Sequence, residues 1–149
     1  MTLEKSIHQK EFRNEHQKAL LNILYTYSYL VGKTNDVFKD FEITRQQYNV
    51  LRILRGQHPK PSTVNLLKER MLDKMSDASR LVDRLLKKSL VERHICPDDR
   101  RAVDIFITKQ GLELLKKIDE ENKNFKLFLS HLTEKEMKQL NDLLDKLRG

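Results

Sequence analysis

The chain has 149 residues, one domain's worth, with 29 Lys and Arg against 22 Asp and Glu, a formal charge of +7 that points to a polyanionic partner. Four glycines and three prolines are too few for the hairpins of a barrel or sandwich, and the single cysteine, Cys96, excludes a disulfide framework or a cysteine-built zinc site within one chain. No apolar run exceeds three residues and the amino-terminal segment has no hydrophobic stretch, which excludes a spanning helix and a secretory signal and makes a cytoplasmic protein the expectation.

Helical spacing first appears from about residue 11 to 31, where Leu20, Leu24, Tyr27 and Val31 form a stripe widened by Leu21, Ile23 and Leu30. Gly32 is placed as its stop. Thr44, with Gln47 three residues on, has capping-box spacing and starts a second helix, with Tyr48, Leu51 and Leu54 inward and Ile43 as a hydrophobic staple. Residues 56–61 (GQHPKP) are a loop. Ser62 is placed to cap a short helix from 63 to about 71, with Val64, Leu67 and Met71 inward, and Leu72-Asp73-Lys74 follows as a tight turn. From about 76 to 88 a further helix puts Ala78, Leu81, Val82, Leu85 and Leu86 on one side. Its other side carries Ser76, Ser79, Arg80, Asp83, Arg84 and Lys87. The period then changes to two, so that 90–95 and 102–107 form paired strands around the polar tip 96–101 (CPDDRR). Thr108 caps the next helix, in which Leu112, Leu115, Ile118, Phe125 and Phe128 or Leu129 recur. Thr133, with Glu136 in capping-box position, caps the last, whose Met137, Leu140, Leu144 and Leu147 form a narrow heptad-like seam.

The charge is not spread evenly. Residues 60–101 hold eleven Lys and Arg against seven Asp and Glu, more than half of the excess. Two short helices joined by a tight turn, then a hairpin, have the outline of a helix-turn-helix with a wing, whose second helix enters the major groove of DNA. Serine hydroxyls serve base edges or phosphates, and arginine grips guanine O6 and N7 with two bonds. Adjacent arginines at a hairpin tip suit a neighbouring minor groove, where narrow sequences concentrate negative potential.

The runs 77–85 (DASRLVDRL) and 90–93 (LVER), the tip 97–103 (PDDRRAV) and 107–111 (ITKQG) together resemble the MarR (multiple antibiotic resistance regulator) family of winged helix-turn-helix transcriptional regulators. The resemblance is strong over 44–118, whereas the terminal helices match in position and amphipathicity only. It implies a mainly α fold with a small β-hairpin wing: a single MarR-like domain over 1–149, with a winged helix-turn-helix core at 44–108 flanked by dimerisation helices at 11–32 and 109–149. It further implies a homodimer that binds a palindromic operator in double-stranded DNA, repression being the expected mode. On carry-over, Ser76, Asp77, Ser79 and Arg80 face bases or phosphates, Arg101 enters the minor groove with Asp99 holding it, and Arg100 lies nearer a phosphate. Ser62, Lys74 and Arg84 complete the candidate contacts. Asp77 has two readings, acceptance from cytosine or favourable charge at a helix N-terminus, and the second is preferred. Ser89 stands where many relatives have glycine, so a left-handed cap is less comfortable there. The resemblance also implies a small aromatic or phenolic, anionic effector, with Tyr27, Tyr48 and Arg52 at its candidate positions, although Tyr48 suits the core equally well.

Readings from other classes have less support. His8, His16, His58, His94 and His131 are scattered without metal-ligand spacing, and there is no phosphate-binding loop, dinucleotide fingerprint or nucleophile elbow, so no enzyme, metal or cofactor is expected. Cys96 has no neighbouring thiol and is expected to be a bystander, not a redox sensor. The alternative to DNA binding is a winged-helix module for protein partners; Ser76, Ser79, Arg80 and Arg84 on one helix argue against it.

Overall fold

The computed structural model describes residues 1–95, 103–121 and 128–149. Contacts divide the chain into two units, Met1–Val37 and Phe38–Gly149. In the first, α1 (Leu3–Ser6) is tied to α2 (Glu15–Lys39) by the Lys18–Glu4 ion pair at 2.7 Å, which holds the Glu4 carboxyl down to about 2. Asn14 starts α2 by accepting the Gln17 amide at 2.9 Å. The expected stop at Gly32 does not occur. A glycine inside a helix costs about 1 kcal/mol without breaking it, and α2 continues to Lys39. The true stop lies at Glu42, whose φ of 55° is left-handed. There the Ile43 amide reaches the Phe38 carbonyl at 3.2 Å and the Glu42 amide reaches Lys39 at 3.0 Å, the paired bonds of a Schellman reversal. Phe38 and Ile43, the apolar pair of that motif, are both buried.

In the second unit, α3 (Arg45–Gln57) begins with the expected box: Thr44 Oγ1 accepts the Gln47 amide at 3.1 Å and Gln47 Oε1 accepts the Thr44 amide at 3.0 Å. Val50, Leu51, Ile53 and Leu54 form its buried face. Helix α4 (Val64–Arg70) is capped by Thr63, which accepts the Leu66 amide, and not by Ser62. Ser62 is instead buried and pairs with Ile105 through two backbone bonds, at 2.9 and 2.8 Å, adding a bridge to the hairpin. Helix α5 (Ala78–Lys87) starts two residues later than the spacing suggested, because Asp77 caps it and Ser76 still belongs to the turn. Strands β1 (Val91–Ile95) and β2 (Val103–Ile107) are antiparallel, with Val91 opposite Ile107 and Arg93 opposite Ile105. Ile105, Ile107 and Val91 are buried at the base, while Ile95 toward the tip is 65% exposed. Thr108 caps α6 (Lys109–Glu121) by accepting the Gly111 amide at 3.0 Å. Leu115 and Ile118 of α6 join Leu67, Val82, Leu85 and the α3 face in one core. The capping box at Thr133 and Glu136 opens α7 (Glu134–Arg148), as expected. Phe125 lies outside the described residues. No described helix is long and apolar enough to cross a membrane.

The junction from α5 to β1 is a second Schellman reversal. The Leu90 amide bonds to Leu85 at 3.1 Å and the Ser89 amide to Leu86 at 2.9 Å, with Ser89 at a φ of 57°. A non-glycine residue costs about 1–2 kcal/mol in this conformation. Helix α6 locks onto the same junction: Thr108 donates its amide to the Leu90 carbonyl and its hydroxyl to the Ser89 carbonyl. Gly111 passes so close that a Cβ there would lie 2.4 Å from the Leu90 oxygen. Ser89→Gly is therefore expected to stabilise the protein by about 1 kcal/mol. That would raise Tm by about 2–4 °C. Gly111→Ala is expected to destabilise it by about 1–3 kcal/mol. Thermal and denaturant unfolding check both, and an unchanged midpoint for Ser89→Gly would contradict the strain assigned to it.

Candidate nucleic-acid interface

Helix α5 has two faces. Ala78, Leu81, Val82 and Leu85 are buried, whereas Ser79, Arg80, Asp83, Arg84 and Lys87 are exposed. The apolar side fixes the helix on the core and leaves a hydroxyl and guanidinium surface outward. Asp77 accepts the Arg80 amide at 3.1 Å, and its other carboxylate oxygen lies 3.4 Å from the Arg80 guanidinium, which is 80% exposed. Asp77 thus has a local task, capping and complementing the helix dipole, which favours that reading over a base contact. Asp83 pairs with Arg93 of β1 at 2.7 Å, joining α5 to the hairpin.

The turn between α4 and α5 is held from three sides. Asn49 of α3, 5% exposed, accepts the Leu72 amide on its Oδ1 at 2.9 Å. Asp73 Oδ1 accepts the Met75 amide at 3.0 Å, and the Asp73 carbonyl accepts the Ser76 amide at 3.2 Å. Lys74 donates to the Glu69 carbonyl at 2.5 Å. Between this turn, α5 and the start of α3 lies a cleft of about 260 Å³ lined by Thr44, Gln46, Ser76, Asp77, Arg80, Leu81 and Arg84.

The structure therefore brings Ser76, Asp77, Arg80 and Arg84 together in one cleft, with Ser79 on the same exposed face and Lys74 in the adjoining turn. It removes Ser62 from that set: at 2% exposure, committed to the bridge with Ile105, Ser62 cannot reach a ligand on the surface. Asp99, Arg100, Arg101 and Cys96 lie outside the described residues. Gln46 and Asn49 were not anticipated from sequence. Nothing in local spacing marks them, since their relation to residues 72–84 is made by the crossing of α3 and α5. Of the effector candidates, Tyr48 stacks on Phe38 with centroids 4.5 Å apart, and burial pushes its phenol up, aided by the charge of Asp119. Arg52 is exposed one turn further along α3, and Tyr27 belongs to the first unit. Among the described residues no cluster of His, Cys, Asp and Glu could hold a metal ion.

A short helix, a pinned turn, a second helix with a polar-basic outer face and an antiparallel hairpin define a winged helix-turn-helix, the architecture of a class of transcriptional regulators. The MarR family model matches residues 43–103. A MarR transcription factor from Planctomyces limnophilus is 34% identical and superposes with a TM-score of 0.71, covering 91% of this chain and 98% of that one. The HTH-type transcriptional regulator PecS of Dickeya dadantii (strain 3937) is 28% identical over 155 residues, covering 97% of this chain and 93% of PecS. A mutant MarR from E. coli, crystallised with operator DNA, is 24% identical and has the same fold, with a TM-score of 0.79 over 93% of this chain and 99% of that one. The chain belongs to the MarR family of transcriptional regulators.

The two readings of Asp77 predict different behaviour. Asp77→Ala is expected to lose about 1 kcal/mol of stability, and Asp77→Ser to retain most of it, because either oxygen can cap. If Asp77→Ser kept stability yet changed which base is preferred at one position, Asp77 would be a base contact as well.

Proposed function

We propose that the protein is a repressor that binds a palindromic operator in duplex DNA as a homodimer, laying α5 in the major groove and the hairpin tip, with Arg101 steadied by Asp99, in the adjacent minor groove. The observation that carries this reading is the division of α5: four core residues on one side, and Ser79, Arg80 and Arg84 with Lys87 on the other, next to Ser76. Hydroxyl and guanidinium groups on a helix that leads with its N-terminus match the donors that base edges and phosphates accept. Such a complex neutralises several phosphates and releases their counterions. Affinity is expected to fall at least tenfold between 50 and 200 mM salt. Fluorescence anisotropy on a labelled duplex measures this, and a flat response would favour a protein-binding module.

The helices at both ends of the chain support the dimer. Leu20, Leu24, Tyr27 and Tyr29 of α2 are 50–58% exposed, and α7 contains no buried residue, with Leu143 and Leu147 at 65%. Apolar stripes of this length need covering, and a second copy provides it with the two-fold symmetry that two half-sites require. The domain plan that follows is a DNA-reading core at 44–108 between dimerisation segments, the first being α2, which continues past the expected 11–32 to Lys39, and the second 109–149. A small aromatic anion that binds at Tyr48 and Arg52 would release the operator if it prefers the dimer geometry that cannot span successive grooves. Truncation after Phe128 is expected to leave a monomeric or unfolded protein with little DNA affinity. Sedimentation showing the truncated chain still dimeric would contradict the proposed assembly.

A further inference from the structure

We infer that Met75 touches a thymine C5-methyl group in the major groove, an apolar specificity contact made from the turn ahead of α5. The inference rests on the DNA-binding reading above. Met75 is 94% exposed, and Leu72 on the same turn 77%. An exposed apolar side chain alone needs no partner; what singles out Met75 is its place on a fixed turn, immediately ahead of the helix whose outer face is read as the DNA-facing one. The turn is not slack: the amides of Leu72, Met75 and Ser76 are each bonded, to Asn49, to the Asp73 carboxylate and to the Asp73 carbonyl. Met75 therefore leaves the backbone at a fixed point, two residues before the Asp77 cap.

In a helix-turn-helix the first residues of the second helix lie against base edges. A side chain three positions ahead of that helix sits at the mouth of the same groove. Its sequence neighbours are Lys74 and Ser76, and the adjoining cleft holds Arg80 and Arg84; the nearby carboxylates of Asp73 and Asp77 are engaged with the amides of Met75 and Arg80, so the surroundings are polar and charged, unlike those of an apolar protein surface. Among the groups that bases present in the major groove, the thymine methyl is the apolar one. Methionine, unbranched and polarizable, can follow such a target across small differences in docking. The contact would add a preference for thymine that the hydroxyls and guanidinium groups of α5 do not supply.

The test is selection from a pool of random-sequence duplexes by the wild-type protein and by Met75→Ala, a change at an exposed position. The wild type should select a thymine at one half-site position where Met75→Ala accepts any base. Deoxyuridine in place of that thymine removes the methyl alone. It should weaken wild-type binding about fourfold, the effect of withdrawing one methyl group from contact, and leave Met75→Ala unaffected. Identical selected sequences, or an equal loss on deoxyuridine for both proteins, would overturn the inference while leaving DNA binding intact. If the wild type selected no sequence at all, the DNA-binding reading would fall and the inference with it.

Discussion

The reversal at Ser89 and Leu90 is the constraint on which the second unit depends. Within two residues the chain must end α5, enter β1 and receive the start of α6. The carbonyls of Ser89 and Leu90 both accept from Thr108, and Gly111 leaves room for the approach by having no side chain. Leu90 turns inward beside Leu85, so the reversal is closed by apolar burial as well as by hydrogen bonds. Ser89 holds a left-handed conformation because these surroundings leave the backbone no alternative, and the strain is offset by the junction it allows. Had the chain a looser connection here, the angle between α5 and the hairpin would be free to vary.

That angle matters because α5 and the hairpin would have to meet one DNA duplex together. The core holds α5 by Ala78, Leu81, Val82 and Leu85, the Asp83–Arg93 pair adds a surface tie, and Asn49 fixes the preceding turn from below. An exposed ion pair contributes at most about 1 kcal/mol, so orientation rests mainly on the buried face and the junction. Asn49 does something packing alone cannot: a buried carboxamide specifies one position for the Leu72 amide, whereas an apolar residue would leave that donor unpaired at a cost of about 1–3 kcal/mol. The turn is thus set from α3, some twenty residues away in sequence.

Much of this was legible in the sequence, for identifiable reasons. Capping boxes at Thr44 and Thr133, the apolar stripe of α5 and the paired strands are local signals, and each is present in the structure within a residue or two, although burial does not alternate along β1, where only Val91 is buried. Local signals also misled. Gly32 looked like a helix end, but no reversal follows it; the end is made at Glu42, a residue with no preference for a left-handed conformation, by the burial of Phe38 and Ile43. Ser62 looked like a cap and a surface contact because its pairing partner, Ile105, lies forty-three residues on. Gln46 and Asn49 were silent for the same reason: their importance comes from what crosses them. Sequence spacing shows what a residue can do within its own element, and tertiary crossing decides which of those options is used.

In the proposed complex the outer face of α5 addresses base edges in the major groove of two half-sites. Methylation interference on a duplex selected by the protein separates the grooves, because dimethyl sulfate modifies guanine N7 in the major groove and adenine N3 in the minor groove of the same molecule. N7 methylation should block binding at guanines in two clusters whose centres lie one helical turn, about 10 base pairs, or a multiple of it apart. Interference confined to adenine N3, or absent from both grooves while binding persists, would contradict this placement of α5.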